Sequence, residues 1–124
     1  MAGGVNTGRP ERPGAYEPSS PKRFEVYLVS LDPTVGSEIQ KSRPCLIVSP
    51  DELNDHLNTV IVAPMTTVAR SYPSRVPVKF QGREGQVALD QLRAFDKQRL
   101  ARKLGTISPK EANLVVETLL DLFA

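Results

Sequence analysis

The sequence predicts a mainly β protein, built from one curled, mostly antiparallel sheet of five to seven short strands and a C-terminal α-helix. Three observations lead to this prediction. Short segments rich in β-formers recur between residues 24 and 106, with turn residues between them. The intervals are too short for the helical crossovers that join parallel strands. A helical pattern of apolar residues follows Ser108. We therefore expect the sheet to curl into a small barrel.

The chain divides into a tail and one domain. Residues 1–22 contain four prolines and four glycines but almost no large apolar side chains. Such a segment cannot bury enough surface to offset the entropy of ordering it, so we predict a disordered tail. Residues 23–124 are long enough for one domain. The sequence lacks an apolar run of roughly 20 residues and a secretory signal, and it has one cysteine, so we expect a cytoplasmic protein without membrane association.

The first strand is predicted at Phe24–Leu31. Both of its faces are apolar, which is typical of a strand buried on two sides or of one in a curled sheet. The next stretch begins as a turn at Asp32-Pro33-Thr34 and stays polar and charged up to Ser42. The chain then enters a second strand, Cys45–Val48, through Arg43-Pro44. A polar loop that brings an arginine to the start of a strand indicates a phosphate-binding site.

The segment after the second strand is predicted to form a short helix and a third strand. The sequence Ser49-Pro50-Asp51-Glu52 matches a capping box with proline at the first helical position. We expect Asn54, Asn58 and the acidic residues to end this helix. The third strand, Thr59–Ala63, is apolar, and we expect Pro64 to end it.

Further strands are predicted between residues 75 and 106. In Arg75–Phe80 the two valines and Phe80 should face inward while Arg75, Pro77 and Lys79 face outward. Pro77 indicates that this strand has a free edge or a bulge. A hairpin turn is expected at Gly82–Gly85. The remaining strands are predicted at Gln86–Leu89, at Leu92–Phe95 and, as a strand or an irregular segment broken by Gly105, at Leu100–Thr106.

The terminal helix has the strongest local pattern. Ser108-Pro109-Lys110-Glu111 matches a second capping box, again with proline at the first helical position. The apolar stripe of this helix is predicted to comprise Ala112, Val115, Val116, Leu119, Leu122 and Phe123.

Charge is unevenly distributed along the chain. The net charge of +2 arises within the first 23 residues, and the rest of the chain is balanced. One segment concentrates positive charge around a single acid, Asp96; we call its cations the basic strip, and they are Arg93, Lys97, Arg99, Arg102 and Lys103. A local basic strip on a neutral domain is typical of a polyanion site. A solvated charged surface is the alternative.

Several kinds of catalytic site are excluded by residue type. His56 is the only histidine, so two histidines cannot act as acid and base within one chain. With one cysteine and one histidine, a structural zinc site is excluded. Cys45 is predicted to be an inert core residue, and the pairing of Cys45 with His56 as nucleophile and base is disfavoured. The sequence shows neither a carboxylate cluster for two metal ions nor a glycine-rich phosphate loop.

Arg43 and Thr66 remain as candidates for phosphoryl chemistry, with Thr67 beside the latter. A guanidinium is a permanent fork of donors for phosphate oxygens, and a hydroxyl can donate to the same oxygens. Together they could stabilise the negative charge that builds at phosphorus. The alternatives are a surface ion pair for Arg43 and a turn-forming role for the threonines.

Four separated motifs resemble the MazF/PemK family of toxin endoribonucleases. They are LDPTVGSE, KSRP before an apolar strand, VAPMTT, and LDQLRAFDKQRL. The resemblance covers residues 23 to 124. It implies an SH3-like, CcdB/PemK-like barrel with a C-terminal helix, a homodimer, and cleavage of single-stranded RNA at short sequences without metal or cofactor. The implied products carry a 2′,3′-cyclic phosphate and a 5′-hydroxyl.

The resemblance also implies roles for individual residues. Arg43 and Thr66 match the family's catalytic arginine and threonine. The loop that closes over RNA would contain Glu38 and Lys41. The residues expected to contact RNA are Thr34, Gly36, Ser37, Glu38, Lys41, Pro44, Thr67, Gln91, Arg93 and Lys97, with the basic strip following the RNA backbone. The general base stays open between Glu38, water and the threonine.

The partner implied by the resemblance is a cognate antitoxin, an acidic, partly disordered, DNA-binding dimer, and the basic strip suits its acidic tail. Two other functions remain open. A CcdB-type poison of DNA gyrase shares the fold but acts through a C-terminal end with tryptophan, which this sequence lacks. A non-catalytic RNA- or protein-binding barrel is the third reading.

Overall fold

The computed structural model describes residues 20–31 and 41–124, which form a curled antiparallel sheet and two helices. The strands are β1 (Glu25–Ser30), β2 (Ser42–Ile47), β3 (Thr59–Thr66), β4 (Arg75–Phe80), β5 (Arg83–Ala88), β6 (Arg93–Asp96) and β7 (Leu100–Thr106). Helix α1 (Asp51–His56) follows β2, and α2 (Pro109–Phe123) follows β7. Two 3₁₀ turns occupy Leu89–Gln91 and Lys97–Arg99. The predicted fold class is confirmed.

The sheet is organised around β3, its longest strand in the described part of the chain. Neighbouring strands follow the order β4-β5-β3-β2-β1-β7, and β6 also pairs with β3. Along β3 the partner changes: Thr59–Val62 pairs with β6, Val62–Pro64 with β2, and Met65–Thr66 with β5. One strand therefore belongs to both parts of the sheet, and the sheet curls along it.

The prediction that Pro64 ends the third strand is wrong. The strand continues through it to Thr66. Pro64 lies between Val62, the last residue paired with β6, and Met65, the first residue paired with β5. A proline has no N–H to donate to a ladder, and at this change of partners none is needed.

Two apolar clusters cover the two faces of the sheet. The first contains Val26 and extends to the terminal helix, where it includes Ala112 and Val115. The second contains Val29, Cys45, Ile47, Val60, Val62 and Phe95, with Tyr27, Leu31 and Leu100 packed against it. The two apolar faces predicted for the first strand are therefore confirmed, because each face contributes to a different cluster.

The predicted capping box at α1 is wrong, although the helix itself is present. The N-cap is Pro50, which has no side-chain capping bond. The Ser49 hydroxyl instead donates to Asn54 Oδ1 (2.5 Å) and accepts from the Ile61 N–H (3.0 Å). Asn54, expected to end the helix, is buried inside it and donates to the carbonyl of Pro21 (3.0 Å). This contact holds the end of the predicted tail; its residues 1–19 lie outside the described part.

The hairpin turn begins one residue earlier than predicted and is two residues shorter. Phe80 pairs with Arg83, so the turn is Gln81-Gly82, and both residues have positive φ (52° and 79°). Two consecutive residues with positive φ are typical of the type I′ turn that matches strand twist. Gly85, predicted as part of the turn, lies within β5.

Strand β4 lies at one end of the strand order, as Pro77 predicted. Its valines are buried, and Glu111 of α2 accepts a hydrogen bond from the Lys79 N–H (2.8 Å). Arg75 alternates with the buried valines, as predicted, but it is largely covered by its partner. Its side chain is only 7% exposed and forms an ion pair with Asp90 at 2.8 Å.

The capping box of α2 is confirmed. The Ser108 hydroxyl accepts from the Glu111 N–H, and the Glu111 carboxylate accepts from the Ser108 N–H (both 3.1 Å). The predicted stripe is buried only in its first half: Leu122 is 42% and Phe123 74% exposed. The end of α2 therefore extends beyond the apolar cluster. No helix in the described residues is long and apolar enough to cross a membrane.

Candidate functional site

Arg43 lies near the start of β2 and lines a small cavity on the second apolar face. The cavity has a volume of about 100 Å³, and its wall includes Gln91, Arg93, Pro64 and Phe95. Two of these, Gln91 and Arg93, were predicted to contact RNA. The structure therefore brings three predicted site residues to one concave surface, from β2, from the 3₁₀ turn and from β6.

Thr66 is the last residue of β3 and lines a second cavity of about 150 Å³. Pro44 and Thr67 line the same cavity, so two further predicted residues adjoin it. The Thr66 hydroxyl accepts a hydrogen bond from the Val68 N–H at 3.0 Å. Because the hydroxyl acts as the acceptor in this bond, its own proton stays available for donation to a ligand.

The register of β2 and β3 relates the two cavities. Cys45 pairs with Pro64 in this antiparallel ladder, and two residues further along each strand lie Arg43 and Thr66. Pro64 lines the cavity with Arg43, while Pro44 lines the cavity with Thr66. The two candidate catalytic residues therefore occupy the same end of one strand pair, at neighbouring cavities.

The Phe95 ring contacts two arginines beside this site. The guanidinium of Arg93 lies 4.5 Å from the centre of the Phe95 ring, and that of Arg99 lies 5.8 Å from it. Arg99 also donates to the carbonyl of Ser30 (3.2 Å). An aromatic face attracts guanidinium groups. These contacts keep two positive charges close to the cavity of Arg43.

The rest of the basic strip lines a larger groove on the same face of the sheet. This groove, of about 730 Å³, is bordered by Lys97, Arg102 and Lys103 together with Tyr27 and Leu100. Tyr27 and Leu100 pack against the apolar cluster that contains Phe95. The groove and the Arg43 cavity therefore lie on the same face of the sheet.

Two of these lysines also have structural partners. Lys103 forms an ion pair with Glu25 at 2.8 Å. The ammonium of Lys97 donates to the carbonyl of Asn54. Lys97 therefore helps to hold α1 against the 3₁₀ turn, a role that its charge alone did not indicate.

The polar loop between β1 and β2 contains four predicted RNA contacts, Thr34, Gly36, Ser37 and Glu38, which lie outside the described residues. Leu31 and Lys41, the described residues on either side of this gap, are joined by a backbone hydrogen bond. The Leu31 N–H donates to the Lys41 carbonyl at 2.8 Å, and Lys41 itself is exposed.

Cys45 lies in the wall of the Arg43 cavity but is 1% exposed. Burial raises the pKa of its thiol to about 11, although Arg43 and Arg93 act in the opposite direction. The thiol is thus protonated at neutral pH and is a poor nucleophile. His56 is the last residue of α1, and its Nδ1 lies 2.8 Å from the Glu52 carbonyl oxygen. Residues 20–31 and 41–124 contain no group of three or more potential metal-ligating side chains.

Two residues close to Thr66 were not recognised from the sequence as part of the site. Gly85 passes so near that a Cβ there would lie 2.7 Å from the Thr66 carbonyl oxygen. Gln86 pairs with Thr66 across β3 and β5. A glycine inside a strand pattern indicates close backbone approach, but the sequence analysis predicts Gly85 in the turn.

Comparison with known proteins gives the family. The family model for PemK-like, MazF-like toxins of type II toxin–antitoxin systems matches residues 22–123. Endoribonuclease toxin MazF of Escherichia coli K12 is 33% identical over 96 residues, which cover 77% of this chain and 86% of that protein. Endoribonuclease EndoA of Bacillus subtilis is 36% identical over 104 residues, covering 79% and 90%.

A solved structure supports the same relationship. An endoribonuclease from a mycobacterial species, in complex with its cognate antitoxin, matches with a TM-score of 0.72 and 27% identity, covering 84% of this chain and 95% of that chain. The resemblance seen in the four sequence motifs is thus confirmed over nearly the whole described domain. This chain belongs to the PemK/MazF family of toxins of type II toxin–antitoxin systems.

Proposed function

We propose that this protein is an endoribonuclease toxin that cuts single-stranded RNA at a short sequence without a metal ion. The observation that carries the proposal is the antiparallel register of β2 and β3, in which Arg43 and Thr66 lie at one end of adjacent strands. Membership of the family, whose relatives include MazF and EndoA endoribonucleases, supports it.

The reaction would use a nucleophile that the substrate provides. The 2′-hydroxyl attacks the adjacent phosphorus, a bond forms between this oxygen and phosphorus, and the bond from phosphorus to the 5′-oxygen breaks. The 2′-hydroxyl loses its proton and the 5′-oxygen gains one, which gives a 2′,3′-cyclic phosphate and a 5′-hydroxyl. Arg43 would bind the phosphate oxygens through its fork of donors, and Thr66 would donate its hydroxyl proton to the same group.

The cations around Phe95 would hold the RNA on the enzyme. Arg93 lies in the wall of the Arg43 cavity with Gln91 beside it. Single-stranded RNA is bound by grooves that combine backbone-binding cations with contacts to splayed bases. Gln91 has an amide that can both donate to and accept from a base edge, while Arg93 and Arg99 would bind phosphates beside the Phe95 ring.

The partners of the proposed toxin are a second copy of the chain and a cognate antitoxin. The mycobacterial relative was solved with its cognate antitoxin, which supports an antitoxin here as well. An acidic, partly disordered segment of that partner would cover the basic strip and thereby exclude RNA. We place this activity in the cytoplasm, where messenger RNA and antitoxin would both be available.

One assay tests the proposal. Purified protein is incubated with a library of single-stranded RNA in the presence of a chelator, and the product ends are analysed. We expect cuts at a short recurring sequence with cyclic-phosphate ends. Covalent gyrase–DNA adducts without RNA cleavage would instead support the poison of gyrase, and binding without cleavage would support a non-catalytic barrel.

Substitutions at the two candidate residues sharpen the assay. Arg43→Ala should lower cleavage by about 10²- to 10³-fold, the usual loss when a donor to a developing oxyanion is removed. Thr66→Val should lose activity while Thr66→Ser retains much of it, because only serine keeps the hydroxyl. Both positions lie at strand ends, so circular dichroism should report an unchanged fold. Full activity of Arg43→Ala would end its catalytic assignment.

A further inference from the structure

We propose that the cavity beside Thr66 is a binding site for one nucleobase, of pyrimidine size, from the nucleotide next to the scissile phosphate. This inference rests on the proposed function and deepens it, because it assigns a role in sequence specificity to a cavity that the basic strip does not line. Its principal wall residues are Pro44, Met65, Phe80, Gly85 and Leu104.

The cavity lies at the seam of the curled sheet. Strands β4 and β7 are at opposite ends of the strand order, yet their ends meet here. The Gln81 side-chain amide donates to the Leu104 carbonyl (3.0 Å), and the Phe80 ring faces Gly105. Thr66 and Pro44 border the same opening. A nucleotide with its phosphate between Arg43 and Thr66 would therefore have this opening within reach of its base.

The size and lining of the cavity suit one aromatic ring. Its volume is about 150 Å³ and its lining is predominantly apolar. An apolar cavity of about this volume in another protein binds one benzene ring. A pyrimidine has one ring and a purine two, so a pyrimidine is the better match. The half-buried ring of Phe80 offers a surface on which a base can stack.

Two glycines set the dimensions of this cavity. A Cβ on Gly105 would lie 3.0 Å from Cζ of Phe80, so the missing side chain leaves room for the ring. A Cβ on Gly85 would lie 2.7 Å from the Thr66 carbonyl oxygen, so β5 closes tightly on the end of β3. The wall that carries Phe80 and the wall that carries Thr66 are therefore both positioned by close backbone approach.

The opening also carries groups that can read a base edge. Arg83, Glu84 and Thr67 line it and are exposed. Within the described residues, the side chains of these three make no hydrogen bond or ion pair, so they are available to a ligand. Pyrimidines present donors and acceptors on their Watson–Crick edge, which such side chains can recognise.

The experiment uses the two methionines of the chain, Met1 and Met65. Met65 lines the cavity, so its methyl group reports on a ring bound there, and Met1 serves as an internal reference. The protein is labelled with [methyl-¹³C]methionine and titrated with short oligomers of 2′-deoxyuridine, of 2′-deoxyadenosine and of abasic deoxyribose phosphate. None of these has a 2′-hydroxyl, so none can be cleaved.

We expect deoxyuridine oligomers to move the Met65 methyl signal upfield through the ring current of the base. Deoxyadenosine oligomers should move it less, and abasic oligomers should bind the cations without moving it. A Met65 signal that stays in place at saturation with deoxyuridine oligomers would overturn the proposal, as would an equal shift with abasic ones. Absence of binding by every oligomer would overturn it too.

Cleavage of the RNA library separates this proposal from the proposed function. In Phe80→Leu, which keeps apolar volume but removes the stacking face, cutting at the preferred sequence should fall about 10-fold, and the pyrimidine preference should be lost at one position beside the cut. The control Tyr72→Leu removes an exposed aromatic ring outside the cavity and should leave the profile unchanged. Cleavage with an unaltered Phe80→Leu profile would refute the base site alone, whereas no RNA cleavage by the wild type would refute the function.

Discussion

The side-chain amide of Gln86 is hydrogen-bonded to both backbone polar groups of Arg70. Oε1 accepts from the Arg70 N–H, and Nε2 donates to the Arg70 carbonyl, each at 3.1 Å. Gln86 is also the ladder partner of Thr66, whose hydroxyl accepts from the Val68 N–H. The segment that follows Thr66 is therefore fastened to β5, and the orientation of the Thr66 hydroxyl depends on this attachment.

We predict that Gln86→Glu lowers kcat of RNA cleavage about 10-fold with little change in KM. The glutamate can still accept from the Arg70 N–H, but it places a second acceptor against the Arg70 carbonyl. The segment would then loosen, and Val68 would no longer hold the hydroxyl of Thr66. Single-turnover kinetics at varied RNA concentration measures the two constants.

A suitable control for that variant is Thr118→Val, which removes a bond from a side chain to a backbone carbonyl (2.8 Å) on the exposed side of α2. It should leave kcat unchanged. A loss in Gln86→Glu that appears only in KM, or only in thermal stability, would contradict a positioning role.

Gly85→Ala should impair both stability and cleavage. Its new methyl group would approach the Thr66 carbonyl oxygen to 2.7 Å, so β3 or β5 must shift, at a cost of about 1–3 kcal/mol. The comparison is Gly82→Ala: its Cβ would meet nothing within 4 Å, but its φ of +79° strains an alanine. Urea unfolding should show both losses, whereas the activity of the folded enzyme should fall only in Gly85→Ala. Equal activity of the two variants would be evidence against the close approach.

Arg93→Ala should weaken RNA binding and reduce its dependence on salt. Each phosphate contact to a single strand contributes about 0.7 to the slope of log K against log salt, and the variant should lose one contact. Lys110→Ala, on the first turn of α2, should leave the slope unchanged. Fluorescence anisotropy of labelled RNA over a range of salt concentrations gives these slopes, and an unaltered slope for Arg93→Ala would remove it from the RNA surface.

The pair of Arg75 and Asp90 predicts a dependence of stability on pH. Hydrogen bonding from Arg75 above all, and also from Ser74, lowers the pKa of Asp90 to about 2. The unfolded chain has a value near 3.9, so the stabilisation is complete above about pH 4 and is lost as the pH falls towards 2. Because the carboxylate is partly exposed, we expect Asp90→Asn to cost only about 1 kcal/mol at pH 7.

Urea unfolding of wild type and Asp90→Asn at several pH values checks this expectation. The difference in free energy of unfolding should shrink between pH 4 and pH 2. Asp121→Asn, near the end of α2 and without a hydrogen bond in the described residues, should change little at any pH. A gap between wild type and Asp90→Asn that stays constant down to pH 2 would show that the ion pair is not its source.

Those features of the fold that depend on neighbouring residues were predictable from the sequence. The capping box at Ser108 and Glu111, the two apolar faces of β1 and the edge position indicated by Pro77 all follow from backbone chemistry within a few residues. The candidate catalytic pair was also named from residue type, by elimination and by resemblance to a family.

Features that depend on distant segments were not predictable in the same way. Pro64 looked like a strand end because the change of partner along β3 involves three other strands. Arg75 looked exposed because its partner, Asp90, lies in another element. Ser49 looked like a cap because its bonds to Asn54 and Ile61 require α1 to pack on β3.

By itself, the sequence determined which elements form and which chemical groups are available, since both depend on local conformation and residue type. The tertiary structure decided which groups meet: Arg43 with Gln91 and Arg93 in one cavity, and Thr66 with Phe80 at the seam of the sheet. The physical reason is that strand register and the curl of a sheet arise from packing and hydrogen bonds between segments far apart in the chain, which no local pattern specifies.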